Sequence, residues 1–174
     1  MKWLKYIIFL LNPWLFSIIA QDFNVLTWRD HLPYNSTKQL VNVDNIFYVS
    51  TPHSIIEFDY ATNELRKLST VNGLSEVGIS SIVSNNSQKA LVIGYNSSNV
   101  DIIKDDKVIN ISSILNSSII GDKTIYSLYS HSKFVYLCTG FGIVVIDLER
   151  EEIKDTYIIA VSYTHLTLPT NHPV

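Results

Sequence analysis

The sequence predicts an all-β fold: a β-propeller of about three blades, each of four antiparallel strands, forming part of a longer ring. Three observations predict it. The composition suits strands, one pattern recurs every 44 residues, and some apolar runs are too continuous for a sheet open on one face. Of the 174 residues 47% are hydrophobic, with ten Tyr and seven Phe among many Ile and Val. Such β-branched and aromatic residues favour strands over coiled coil or disorder.

The repeat comes first, because a missed period misreads the whole chain. Asn45-Ile46-Phe47-Tyr48-Val49, Lys89-Ala90-Leu91-Val92-Ile93 and Lys133-Phe134-Val135-Tyr136-Leu137 follow one another at 44 residues without a gap. The register continues through Ile56, Val100 and Val144, then Phe58, Ile102 and Ile146. Upstream, Ile79–Val83 matches Ile125–Tyr129 after a two-residue slip that falls in a turn, where insertions are best tolerated. In the second unit the strands are expected at about Ile79–Val83, Ala90–Tyr95, Asn99–Lys104 and Val108–Ser112. Asn, Ser, Gly and Asp between them favour tight reversals.

Phe134–Leu137 and Ile143–Ile146 do not alternate, which predicts strands covered on both faces. Stacked propeller blades cover their strands in that way. A β-sandwich is the rival fold, but it gives no reason for three ungapped registers. Residues 21–159 hold about three units, whereas rings close with roughly four to eight. A partial propeller over 21–159 is therefore expected, with more blades beyond it.

The ends read differently. Lys2 and Lys5 precede an apolar stretch from Tyr6 to Ile19, and Ala20 offers a small residue before Gln21. This is the layout of a signal peptide over 1–20. An uncleaved anchor is the alternative, but Pro13 interrupts a run shorter than the roughly 20 residues a span needs. No second long apolar run follows, so no transmembrane span is expected in the mature chain. The stretch from Ala160 to Val174 matches no repeat, and Val161–Asn171 resembles translated adapter sequence. Residues 160–174 are thus expected to be a non-native or disordered tail, and His165 and His172 receive no role.

Charge and cysteine content exclude several functions. Thirteen Lys and Arg against sixteen Asp and Glu leave no basic surplus, so no nucleic-acid partner is expected. The single cysteine, Cys138, rules out an internal disulfide and a lipid anchor after the leader.

Candidate constellations read better as structure. Cys138 shares its repeat position with Ser50 and Gly94 and is expected to be a small buried residue, with His131 in a turn. Asp59, Asp101 and Asp147 suggest channel carboxylates, yet Asp101 aligns with Glu57, so the three form no ring. Turn capping is the expected role of such strand-end aspartates. His31, His53, His131, His165 and His172 lack zinc-site spacing. Gly140 and Gly142 flank Phe141 as a hairpin turn, with no helix following to make a dinucleotide site. Asn35, Asn85, Asn96, Asn110 and Asn116 open chance N-x-Ser/Thr sequons. No catalytic, metal or cofactor-binding residue is expected. Phe23–Trp28 alternates loosely and is a candidate for a strand that closes a ring, with Tyr34 beside it.

Asn72-Gly73-Leu74-Ser75, followed by Val77, Ile79 and Ile82, resembles the opening of two-component-regulator-type propeller repeats. Several further stretches narrow the resemblance: Trp28-Arg29-Asp30-His31-Leu32-Pro33-Tyr34-Asn35, Lys67-Leu68-Ser69, Leu91-Val92-Ile93-Gly94-Tyr95 and Thr139-Gly140-Phe141-Gly142-Ile143-Val144-Val145. Together they resemble the N-terminal propeller of the PorZ family, surface components of the Bacteroidota type IX secretion system. The resemblance implies a non-enzymatic scaffold without cofactors, exported to the outer face of the outer membrane. It also implies work beside the sortase PorU, PorV and PorQ, attaching cargo to anionic lipopolysaccharide. The alternative is the periplasmic ligand-sensing propeller of a hybrid two-component histidine kinase, which shares the Asn72–Ser75 type of motif.

Overall fold

A computed structural model describes residues 32–159. The leader expected over 1–20, the strand expected over Phe23–Trp28 and the tail expected over 160–174 lie outside the described residues. The regular elements are β1 (Gln39–Val43), β2 (Ile46–Ser50), β3 (Ile55–Asp59), β4 (Glu64–Leu68), β5 (Ile79–Asn85), β6 (Ala90–Tyr95), β7 (Val100–Lys104), β8 (Lys107–Ile111), β9 (Ile125–His131), β10 (Phe134–Thr139), β11 (Gly142–Asp147) and β12 (Glu152–Ile158). They form three four-stranded antiparallel sheets in simple chain order. In the second unit all four strands lie within two residues of their expected limits.

Turn chemistry sets the hairpins. Asp44 (φ 49), Asp105 (φ 49) and Asp106 (φ 58) adopt the left-handed conformation at hairpin tips, which Asp tolerates better than most residues. Lys104 faces Lys107 across Asp105-Asp106, a two-residue turn whose twist matches that of the flanking strands.

The sheets stack as blades and approach one another along their first strands, β1, β5 and β9. Between blades 1 and 2 lies a core containing Val43, Tyr48, Ile55, Leu91, Ile93 and Tyr95. Between blades 2 and 3 lies a second, with Val92, Val100, Ile102, Ile125, Leu137 and Ile146. Full burial of such side chains stabilises by about 1.5–3 kcal/mol each.

All six residues of β6 are buried, as strands covered on both faces must be. β10 differs from the expectation: Val135 and Leu137 are buried, Tyr136 is half-buried and Cys138 is exposed. Its apolar run is covered on the blade 2 side only, because no described residues stack on the other.

Between the second and third strands of each blade the 44-residue register breaks in blade 2. In blade 1, Thr51 N donates to Ser54 O at 2.9 Å across the tip Pro52-His53. In blade 3, Thr139 faces Gly142 across Gly140-Phe141. In blade 2, Tyr95 N donates to Asn99 O at 3.0 Å across a longer tip, Asn96-Ser97-Ser98. Ser98 sits at φ 76 there. Tyr48 therefore opposes Glu57, whereas Asp101 is opposed by Ile93 and not by Val92. A one-residue shift turns every side chain of a strand to the other face. The equivalence of Asp101 with Glu57 holds in sequence and fails in space.

Candidate functional site

The shifted strand brings Asp101 against the linker between blades 1 and 2, where four donors converge on its carboxylate. Asn72 shapes the linker: Ser69 N donates to Asn72 Oδ1 at 2.5 Å, and Leu74 N donates to Ser69 O at 3.0 Å. Gly73 takes φ +137 with β8 Val108 beneath it, a conformation that favours glycine. Leu74 plugs the core between blades 1 and 2.

Ser75 then closes onto blade 2. Its backbone N donates to Asp101 Oδ2 at 2.8 Å, and its hydroxyl donates to Oδ1 at 2.7 Å. Tyr95 Oη donates to Oδ2 at 2.6 Å, and Asn110 Nδ2 to Oδ1 at 2.8 Å. Asp101 is 0% exposed. With both oxygens each holding two donors, the carboxylate is saturated, and a general acid or base needs a free lone pair or proton aimed at substrate. Burial, then the bond to Asp101, pushes the Tyr95 hydroxyl far above its ordinary range. Beside it, Asn99 Nδ2 donates to Glu76 Oε1 at 3.0 Å, and Ser97 Oγ bonds Glu76 Oε2. Among the described residues Asn99 Oδ1 is the one buried side-chain polar atom without a partner.

The other carboxylates lie elsewhere and do other work. Asp59 Oδ1 accepts from Ala61 N at 2.8 Å, and Asp147 Oδ1 accepts from Glu149 N at 2.9 Å. Both cap turns as expected; Asp101 does not. Desolvation pushes Asp147 up, but the Glu149 and Arg150 amides and Lys133 outweigh it and hold the group below the usual carboxylate range. Glu57 pairs with Arg66, whose guanidinium also lies 3.7 Å from Asp106.

Cys138 requires a correction. It is exposed, not buried, because its slot faces away from blade 2. Gly94, at the same repeat position, is buried against Ile125 of blade 3. His131 closes β9 opposite Phe134, while Cys138 pairs with Ser127. The four-residue offset along β10 puts about 13 Å between the two levels, so the structure does not bring thiol and imidazole together.

The asparagines of two sequons are structural. Asn85 Nδ2 donates to Ser130 Oγ at 2.8 Å and to Ser132 O at 2.6 Å, fastening blade 2 to blade 3. Asn110 serves Asp101. Gly140 and Phe141 form the expected hairpin, and a Cβ at Gly140 would meet the Asp122 carbonyl at 2.5 Å. No group of three or more His, Cys, Asp or Glu fit to hold a metal occurs among the described residues.

One cleft of about 290 Å³ opens between blades 1 and 2 at the end carrying the β1–β2, β5–β6 and β7–β8 turns. Val43, Ile46, Tyr48 and Ile103 line its floor, and Asp44, Lys89, Asp105 and Asp106 line its rim. Lys89 Nζ lies 2.8 Å from Asp44. Burial, with Glu57 nearby, pushes the Tyr48 hydroxyl up to about 12.

Sequence reading named Ser75, Asp101 and Asn85 but not the Ser75–Asp101 clamp or the bridge from Asn85 to blade 3. A sequence signal exists for the first pair. Forty-four residues on, the linker reads Asn116-Ser117-Ser118-Ile119 and the strand position is Val145, so the serine and its acceptor are missing together. No such signal marks Asn85.

The model of the family "TSS9, PorZ, N-terminal beta-propeller domain" matches residues 39–172. Among solved structures, PorZ of Porphyromonas gingivalis, described as an essential bacterial surface component of the type-IX secretion system, superposes with a TM-score of 0.70. It is 28% identical, over 75% of this chain and 18% of that chain. The extracellular domain of a putative one component system from B. thetaiotaomicron gives 0.59 at 11% identity, over 76% of this chain and 18% of its own. The WD40 repeats of RRP9 give 0.55 at 11%, over 76% and 40%. These last two show the fold alone. The chain spans 18% of the length of each of the first two structures. No curated protein matches.

Proposed function

The chain belongs to the family of PorZ N-terminal β-propeller domains of the type IX secretion system, and from that premise we propose that it acts as a non-enzymatic scaffold on the bacterial surface. The family match, which runs through all three described blades, carries this reading. The geometry supports it from a second direction. The most buried carboxylate, Asp101, is saturated by structural donors, and Asp59 and Asp147 are engaged by backbone amides. The polar chemistry of these blades fastens linkers and turns.

A scaffold needs a rigid frame and open surfaces. The linker clamp at Asp101 and the Asn85 bridge supply the first. Among the described residues the outer strands β4, β8 and β12 each pair on one side only and supply open edges of the second kind, to which extended partner segments can add. The proposed partners are the sortase PorU, PorV and PorQ, and the proposed task is attachment of exported cargo to anionic lipopolysaccharide.

Deletion of the gene in its host, followed by fractionation of secreted cargo, tests this. The scaffold reading expects cargo to lose its lipopolysaccharide-bound, surface-attached form and to regain it on complementation. Intact attachment together with loss of a transcriptional response to an external ligand would transfer the chain to the sensor reading, which the extracellular domain from B. thetaiotaomicron resembles in fold.

A further inference from the structure

The cleft between blades 1 and 2 contains a polar group that the fold itself leaves unused. Tyr48 stands on its floor and is 7% exposed. Among the described residues its hydroxyl makes no hydrogen bond. The other tyrosine of the same core, Tyr95, gives its hydroxyl to Asp101. Nor is the Tyr48 oxygen sealed in as Asn99 Oδ1 is. It is the tip of a buried ring that opens into the cleft. A desolvated hydroxyl without a partner is costly to the fold, and it is satisfied by a polar atom entering the cleft.

The charges around it say which kind of atom. Asp44, Asp105 and Asp106 stand on the rim, and Glu57 opposes Tyr48 on the neighbouring strand. Two cations answer these four carboxylates. Lys89 Nζ lies 2.8 Å from Asp44, and Arg66 pairs with Glu57 and reaches within 3.7 Å of Asp106. Lys104 also lines the cleft, but its Nζ donates to the Leu148 carbonyl of blade 3 at 3.3 Å. Among the described residues Asp105 has no ion pair, so negative charge is left over at the mouth. The two pairs that join the blades, Asp44–Lys89 and Arg66–Asp106, involve exposed side chains. Pairs of that kind hold weakly and yield to a competing cation.

We propose that this cleft binds a small organic cation, an ammonium or guanidinium group on a short aliphatic stem. The charged head meets the Asp105-Asp106 tip and donates to the Tyr48 oxygen, while the stem lies on Val43, Ile46 and Ile103. Burial keeps the Tyr48 hydroxyl protonated at neutral pH, and its lone pairs are free to accept. The volume of about 290 Å³ stands at the foot of the roughly 300–1,000 Å³ range of small-molecule sites. That suits a ligand of this size and is too small for an oligosaccharide.

Titration of the full chain with n-butylguanidinium, followed by NMR, tests this, with uncharged n-butylurea as the same stem without the charge. Saturable shifts of the Val43, Ile46 and Ile103 methyl signals are expected, with n-butylurea about tenfold weaker or more because a charge-assisted bond is lost. Tyr48→Phe removes only the hydroxyl and should weaken binding several-fold. Asp105→Asn combined with Asp106→Asn keeps a turn that Asn also tolerates, and should weaken it about tenfold. Glu152→Gln, an exposed carboxylate on blade 3, should change nothing; circular dichroism checks that each variant keeps its strands. The absence of a saturable shift would overturn the proposal, as would equal binding of n-butylurea. So would binding indifferent to Tyr48→Phe, which would reduce the site to surface charge. Should Tyr48→Phe lose its strands, the Tyr48 ring signals of the unaltered chain must move on titration, and signals that stay fixed overturn the proposal. Nα-acetyl-arginine methylamide separates the sources of the cation: binding as tight as that of n-butylguanidinium assigns the cleft to a side chain of a partner protein, and exclusion assigns it to a free small cation.

Discussion

Blades 2 and 3 are built from closely matched text but live in different surroundings. Ala90–Tyr95 and Phe134–Thr139 are the second strands of their sheets, and both are predominantly apolar. The first is buried along its whole length; the second alternates, with Cys138 open on the outward face beside Ile143 of β11. An apolar run in a repeat protein thus records the neighbour that a unit is made to meet, whether or not that neighbour is present. The two interfaces of blade 2 also differ in kind. Toward blade 1 it is clamped through a buried carboxylate, toward blade 3 through a neutral amide.

The contrast breaks most readily in the core. Ile93→Ala, at a site 0% exposed, is expected to lower stability by about 2–5 kcal/mol, read from urea unfolding. Ile143→Ala, at 37% exposure on blade 3, should stay within about 0.5 kcal/mol. Equal losses would mean that the outward face of blade 3 is covered in solution. Next in size is Asp101→Ala, which leaves the Tyr95 hydroxyl, Asn110 and Ser75 without their acceptor. About 1–3 kcal/mol should be lost, and hydrogen exchange should accelerate in residues 72–78 before blade 3 responds. Asn85→Ala should remove about 1 kcal/mol and loosen β9 instead, so the pair of variants separates the two interfaces.

The smallest effect is a pH dependence. Burial raises Tyr48 from 10.0 to about 12, so the folded chain keeps a proton that the unfolded chain releases near 10. Stability should therefore fall as pH rises from about 10 toward 12. Tyr48→Phe should flatten that decline in thermal unfolding curves, and a slope unchanged by the substitution would place its origin elsewhere.

Much of the architecture was legible in the sequence because strands, turns and period are local properties. Ala90–Tyr95 could be read to the residue, and the Asp59 and Asp147 turn caps followed from strand-end position. Two things were not legible. The flip of β7 depends on a tip of three residues, Asn96-Ser97-Ser98, where blades 1 and 3 use two. A 44-residue alignment conceals it, since β8 realigns with β4 in pairing register. The exposure of Cys138 depends on what stacks beyond it, a long-range property that no window of sequence contains. The clamp residues Ser75 and Asn85 were hidden for a similar reason: both are small polar residues in polar stretches, and only their partners 26 and 45 positions away distinguish them.

The extra residue in the blade 2 hairpin also bears on where such a protein can be cut and rejoined. Ser75 precedes the sheet whose carboxylate it holds, so the self-consistent cassette runs from Ser69 through Ile111. A chimera joined just after Leu68 carries serine and carboxylate as a set. One joined at Ile79, the visible edge of the sheet, imports a buried anion without the two donors of Ser75. Grafts that respect the first junction should fold into foreign rings, and those made at the second should need Asp101 replaced by an apolar residue.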